Sequence, residues 1–194
     1  MHLIQKNKMM TSLAAILLCG EGVGILFSRS VGAEASQTLT ILIENSLSRQ
    51  VSQEAGTVFV ASMFSCVLLL LLCFLFGLSL WGLFFAPLVP LFQGIGLGLS
   101  SAFLFHTMGM KGIAFFVLAV LPGAFLSAVA VLLAAQESLK ASYRLLKREI
   151  HKETAPLAIH TYFIRFGILS LLSILSALAD TFTSLWFAPY FLLK

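Results

Sequence analysis

Charge is scarce in this sequence: Asp, Glu, Lys and Arg make up 10% of its 194 residues, against 59% hydrophobic residues and a mean hydropathy of +1.01. Soluble domains carry about 25% charged residues, enough to cover a folded surface with groups that water solvates. A soluble globule of the present composition would expose apolar surface on a scale that leads to aggregation. That class is excluded, and an all-α, polytopic transmembrane bundle is left. Cysteine is sparse as well. Cys19, Cys66 and Cys73 stand in apolar runs, and an odd count without paired spacing supplies neither a disulfide framework nor a metal cluster. They read as small, polarizable packing residues. Catalytic motifs are missing too: there is no HExxH, no P-loop and no aspartate pair of the intramembrane protease kind. His2, His106, His151 and His160 fall at membrane edges or in loops without ligand spacing. The sequence therefore predicts a protein that is not an enzyme, with no metal and no cofactor.

What the chain has instead is long uncharged runs. A helix needs about 20 mostly apolar residues to cross the hydrocarbon core. From Ala55 to Met110 no residue is charged, which is room for two spans and a tight hairpin around Gly82–Pro90. Further runs cover Met9–Phe27, interrupted by Glu21, then Gly112–Gln136, then Phe166–Leu193, interrupted by Asp180. The expectation is one membrane domain, 1–194, with five spans at about 10–28, 57–80, 86–106, 112–135 and 165–188. Lys6 and Lys8, the SLAAILL run and Ala33-Glu34-Ala35 have the three regions of a cleavable signal peptide. Glu21 and its neighbouring glycines interrupt that apolar region, however, and an uncleaved anchor is expected.

Orientation follows from lysine and arginine asymmetry. With the N-terminus in the cytoplasm and the C-terminus outside, the inner side holds Lys6, Lys8, Lys140, Arg144, Lys147, Arg148, Lys152 and Arg165. The outer side holds Arg29, Arg49, Lys111 and Lys194. This distribution accounts for the net charge of +4 and the pI near 9.2 without a nucleic-acid partner. Residues 29–56 form an external loop, in which TLTILIENSL suggests a short surface helix; it is too short for an independent domain. Residues 136–160 form a cytoplasmic amphipathic segment that continues the fourth span and stops before Pro156. Glu137, Lys140, Arg144, Lys147, Arg148 and His151 make its polar face, opposite Leu139, Tyr143, Leu146 and Ile150. The basic side suits anionic lipid headgroups or a docking partner.

Two carboxylates fall within the spans. An unpaired charge at membrane depth costs at least roughly 2.5–3.5 kcal/mol, so Glu21 and Asp180 should face the bundle interior, pair or be protonated. Counted from the inner helix ends at 1.5 Å per residue they lie about 16 Å and about 22 Å deep, and they could meet if the first and fifth helices are neighbours. Gly20 with Gly24 and Gly94 with Gly98 form two small-xxx-small motifs that serve packing within the chain or a homo-oligomer. Pro87, Pro90 and Pro122 are candidate helix breaks. Together with Glu21 and Asp180 they leave open a second reading, a membrane subunit of a transporter with a polar path.

One stretch carries a family resemblance. Residues 77–146 place Gly77, Gly82 and Pro87 ahead of Gly94 and Gly98, then a Gly109-Met110-Lys111-Gly112 turn, Leu121-Pro122 in the fourth span and the basic segment. Asp180 in the last helix and Pro189 near the terminus complete the pattern, and it resembles the stage II sporulation protein M family of endospore-forming bacteria. Gln93 stands where a lysine or asparagine often precedes the glycine, and Gly123 where the family often has a polar residue after the proline. The resemblance implies an integral membrane protein of the mother cell that acts in septal thinning and engulfment. It would be a scaffold for a peptidoglycan-remodelling complex, without catalysis of its own, holding the stage II sporulation proteins D and P. The loop 29–56 and the turn His106–Lys111 would be its surfaces for exported cell-wall hydrolases.

Overall fold

The computed structural model describes residues 2–30, 55–151 and 159–192. Among them the regular structure is helical throughout: α1 (His2–Ser30), α2 (Ala55–Gly77), a one-turn α3 (Gly82–Phe85), α4 (Leu88–Met108) and α5 (Met110–Phe115). Helix α5 runs straight into a π-helical turn, Phe116–Val120, which leads into α6 (Leu121–His151); α7 (Ile159–Leu192) follows. Five stretches are long and apolar enough to cross a membrane: Lys8–Ser28, Phe59–Gly77, Gly82–His106, Met110–Glu149 and His160–Thr183. The expected surface helix around Leu39–Leu47 and the stop at Pro156 lie outside the described residues.

The connection between the second and third spans differs from the expected one. Helix α2 stops at Gly77, and the chain turns through residues 78–87 with α3 as a single helical turn inside the bend. Pro87 lies in the break between α3 and α4, as the N-cap of α4, whereas Pro90 sits in the first turn of α4 and breaks no helix. First-turn N–H groups have no intrahelical acceptor, and a proline there forfeits nothing. Pro122 is the second residue of α6, directly behind the π turn. A proline inside a helix removes one ladder bond and pushes on the carbonyl four residues back. The wider π turn, closed by the Leu121 N–H on the Phe116 carbonyl, takes up that misfit and the rod continues.

Helices α1 and α4 pack through the four glycines. A Cβ on Gly20 would run into the Leu91 carbonyl oxygen, and one on Gly24 into that of Ile95. Reciprocally, Gly94 abuts the Leu17 carbonyl and Gly98 that of Glu21. The partners rise together along both chains, so α1 and α4 are parallel, as the first and third spans of an alternating bundle must be. With lipid on every side there is no hydrophobic drive between spans, and backbone proximity of this kind supplies the van der Waals contact that replaces it.

The other long helices form a trio in which α6 packs on both α2 and α7, which also touch each other. Leu70 and Cys73 of α2, Val131, Ala134 and Ala135 of α6, and Tyr162, Phe166 and Leu169 of α7 make the centre. Leu13 and Leu17 of α1 and Val89 of α4 close it on the remaining side. Large apolar side chains point outward instead, with Phe64, Leu68, Leu71 and Leu75 along α2 and Leu171, Leu175, Leu178 and Phe182 along α7. Stripes of this sort suit lipid as the outer solvent.

Overpacking a tight contact costs typically about 1–3 kcal/mol. Gly98→Val is therefore expected to lower the thermal midpoint of the detergent-solubilised protein by several degrees. Gly96→Ala, two residues away with nothing within 4 Å of its Cβ position, should leave it unchanged. Equal melting of the two variants would contradict the glycine seam.

Candidate functional site: polar seams inside the bundle

Helix α7 carries Ser176, Asp180 and Thr183 at spacings of four and three, which puts them on one face. That face lies against the π turn and the start of α6. Ser176 Oγ donates to the Gly123 carbonyl at 2.9 Å. Thr183 Oγ1 lies 2.7 Å from the Ala119 carbonyl and 2.8 Å from that of Ala179, sharing its one proton between them. The two hydroxyls grip backbone where Pro122 and the π turn interrupt the ordinary ladder. Between them the Asp180 carboxyl occupies the notch left by Gly123, where a Cβ would collide with it. Its hydrogen-bond partner across the interface is the Ser62 hydroxyl of α2, and Cys66 stands one turn further along that helix. Asp180 is thus a junction of α2, α6 and α7.

A second seam closes the far end of the trio. Ser138 Oγ donates to the Cys73 carbonyl and lies 2.9 Å from its own-helix Ala134 carbonyl. Tyr162 Oη donates to the Phe74 carbonyl at 2.9 Å. Ser142 Oγ sits 3.1 Å from the Phe76 carbonyl and 3.0 Å from that of Ser79. A helix ends with four carbonyls that lack intrahelical donors. Here hydroxyls from two neighbouring helices reach the last turn of α2.

Beside this seam Glu137 of α6 pairs with Lys140 at 2.7 Å and with Arg165 of α7. The cluster ties two antiparallel helices and carries one surplus positive charge. Lys140 therefore does not stand with Arg144, Lys147 and Arg148 on one open face: those three are exposed on the extension of α6, while Lys140 is held by Glu137. Leu139 packs against the core, Tyr143 is 60% exposed, and the residues buried against the bundle include Ala134, Ala135, Gln136, Ser138 and Ser142. Small residues allow the closest approach between membrane helices, and large ones are left to lipid.

Glu21 is half-buried on α1, where its backbone lies against Gly94 and Gly98 of α4. The neighbours of the Asp180 carboxyl belong to α2 and α6, so the two carboxylates sit in separate interfaces. A further polar bridge joins α4 to α6, with Gln93 Nε2 donating to Ser127 Oγ at 3.1 Å. The Gln93 Oε1 atom is buried without a hydrogen-bond partner. No group of three His, Cys, Asp or Glu side chains is placed to hold a metal among the described residues. The pairing of Glu137 with Arg165 was missed from sequence, although each charge ends an apolar run on the same side of consecutive spans. The hydroxyl seams gave no sequence signal beyond serine and threonine spacing.

A family model described as Stage II sporulation protein M matches residues 13–185. The match begins in the first span and ends near the end of the last, so it takes in both seams and the glycine contact. No curated protein and no solved structure matches the chain.

Since the Asp180 carboxyl fills the space above Gly123, Gly123→Ala is expected to destabilise the bundle by about 1–3 kcal/mol. Asp180→Ala in the same chain should recover part of that loss, with a coupling of about 1 kcal/mol in a double-mutant cycle. Unfolding of the four proteins in mixed micelles measures it. Strict additivity would mean that the two residues are not in contact.

Proposed function

This chain belongs to the stage II sporulation protein M family, and from that premise we propose that it is a non-enzymatic membrane scaffold of an engulfment complex that remodels septal peptidoglycan. The coarser statement is already in hand: it is a sporulation-related, multi-pass membrane protein. The family match over 13–185 is the observation that carries the finer reading. The use made of polar side chains supports it. Ser138, Ser142, Tyr162, Ser176 and Thr183 are engaged in holding one helix to another, which is what a rigid platform requires.

In this reading the N-terminus is cytoplasmic and the C-terminus outside, following the excess of Lys and Arg on one side. Helix α6 then carries its charged extension, as far as His151, to the cytoplasmic side. Its exposed Arg144, Lys147 and Arg148 meet anionic headgroups or a cytoplasmic partner. The segment 29–56 and the turn around Gly109 face the exported hydrolases, which by family resemblance are the stage II sporulation proteins D and P.

One observation favours a second reading, the transporter subunit: the π turn and Pro122 lie beside the carboxyl of Asp180, and π turns often mark functional sites. Affinity capture from solubilised sporulating cells separates the two. Recovery of cell-wall hydrolases is the expected result, and recovery of transporter subunits alone would overturn the scaffold. Asp180→Asn and Glu21→Gln are expected to alter assembly at most; loss of flux with assembly intact would establish the rival. Orientation has its own test. A cysteine at Lys147 should react with an impermeant maleimide in inside-out vesicles and stay unlabelled in intact cells.

A further inference from the structure

We propose that the connection of residues 78–87 is a lipid-inserted hairpin, which joins the second and third spans within the acyl region of one leaflet instead of in water. Its sequence, LSLWGLFFAP, has no charge and lies in the middle of the 55–110 stretch, which has none either. Connections that run through water are built from Gly, Pro, Asn, Asp and Ser. Here Leu78, Leu80, Trp81, Phe84 and Phe85 are all exposed, Trp81 at 69% and Phe84 at 72%. The apolar surface is continuous with Leu71 and Leu75 of α2 on one side and Leu88 and Phe92 of α4 on the other, which are exposed along the spans themselves.

The backbone accounting points the same way. In water, the carbonyls that end a helix are solvated at no cost; in hydrocarbon each one left bare costs several kcal/mol, so it must be met by protein. At this turn the Cys73, Phe74, Phe76 and Ser79 carbonyls receive hydroxyls from Ser138, Tyr162 and Ser142. The amides of Leu78, Ser79, Gly82, Phe84, Phe85 and Ala86 are bonded within the turn, and the Trp81 N–H reaches Ser79 Oγ. The one hydroxyl in the segment is thus turned to backbone. A loop built for water has no need of three hydroxyls drawn from two other helices.

The surrounding charges set the depth. Ser142 holds the hairpin, and Arg144, Lys147 and Arg148 follow within the next two turns of α6, about 3–9 Å further along its axis. That is where headgroups belong, and the boundary beneath them is the one an indole such as Trp81 prefers. Glu137, Lys140 and Arg165 lie about one turn deeper, paired with one another, and the two basic side chains are long enough to snorkel outward. The occupant of the hairpin face is therefore phospholipid, not a soluble partner, and the charged extension of α6 is a separate surface at this end.

The test uses the full chain in phosphatidylcholine vesicles. It contains two tryptophans, so Trp186→Phe leaves Trp81 as the reporter. Lipids brominated on the upper part of the acyl chain should quench most of the Trp81 emission, and aqueous iodide little of it. Iodide quenching without bromolipid quenching would put the hairpin in water and overturn the proposal. Protection from both quenchers would mean that a second copy covers it, which overturns it equally. Should the Trp186→Phe chain fail to fold, thiol labelling gives an independent reading. In a chain whose three native cysteines are replaced, an impermeant maleimide offered to permeabilised membranes should label a cysteine at Lys147 and leave one at Trp81 unlabelled. Equal labelling at both would refute the insertion.

Discussion

Lipid cannot hydrogen-bond a backbone carbonyl, and most of what is particular about this bundle follows from that constraint. Regular helices satisfy their own peptide groups, so difficulty arises only where a helix ends or loses its register. Two such places stand out among the described residues. One is the last turn of α2 and the bend after it; the other is the π turn with Pro122 behind it. Each is covered by hydroxyl groups from adjacent helices: Ser138, Ser142 and Tyr162 at the first, Ser176 and Thr183 at the second. Because the donors come from other spans, the contacts that cover the backbone also fix which helices are neighbours.

Helices α1 and α4 reach the same end by the opposite means. Neither has a break where it meets the other, and their contact needs no side-chain hydrogen bond, only the removal of side chains at Gly20, Gly24, Gly94 and Gly98. The bundle thus has a pair held by backbone proximity and a trio held by hydroxyl-to-carbonyl bonds. Leucines from α1 and Val89 from α4 pack into the core of the trio, and Gln93 bonds Ser127 across the boundary. Gln93 brings a second amide atom that the boundary leaves without a partner.

Much of this could be read from the chain. Composition settled the class, and the uncharged runs gave the five long helices, because the physics of crossing a bilayer acts on one segment at a time. The glycine spacing likewise told which faces could come close. What the sequence did not disclose depends on pairs of segments. Arg165 meets Glu137 only because α6 and α7 are antiparallel neighbours, and Gly123 becomes a notch only when Asp180 arrives above it. Of the apolar face of Leu139, Tyr143 and Leu146, Leu139 packs against the core while Tyr143 is left exposed. In water a large apolar side chain is driven inward, whereas beside lipid it gains nothing by burial, and Ala135, Ser138 and Ser142 take the interface. Gly82 carried a further demand that depends on a pair of segments. It lies in the turn as expected, and in addition Phe76 and Ser142 leave no room for a Cβ there.

The placement of polar groups also bears on what the protein does. A transport path needs polar atoms that change partners as the substrate passes, and these therefore cannot all be committed to the fold. In the trio, Ser138, Ser142, Tyr162, Ser176 and Thr183 are bonded to main-chain carbonyls of neighbouring helices, and releasing one would cost a helix-to-helix bond in hydrocarbon. Asp180 is the exception, since a carboxyl with one hydroxyl neighbour keeps capacity for another partner. It lies among α2, α6 and α7, whereas the Glu21 backbone lies in the α1–α4 contact. A bundle whose polar atoms are committed to holding its own backbone is suited to keeping a fixed shape, and a fixed shape is what a platform for other membrane or wall-associated proteins has to offer.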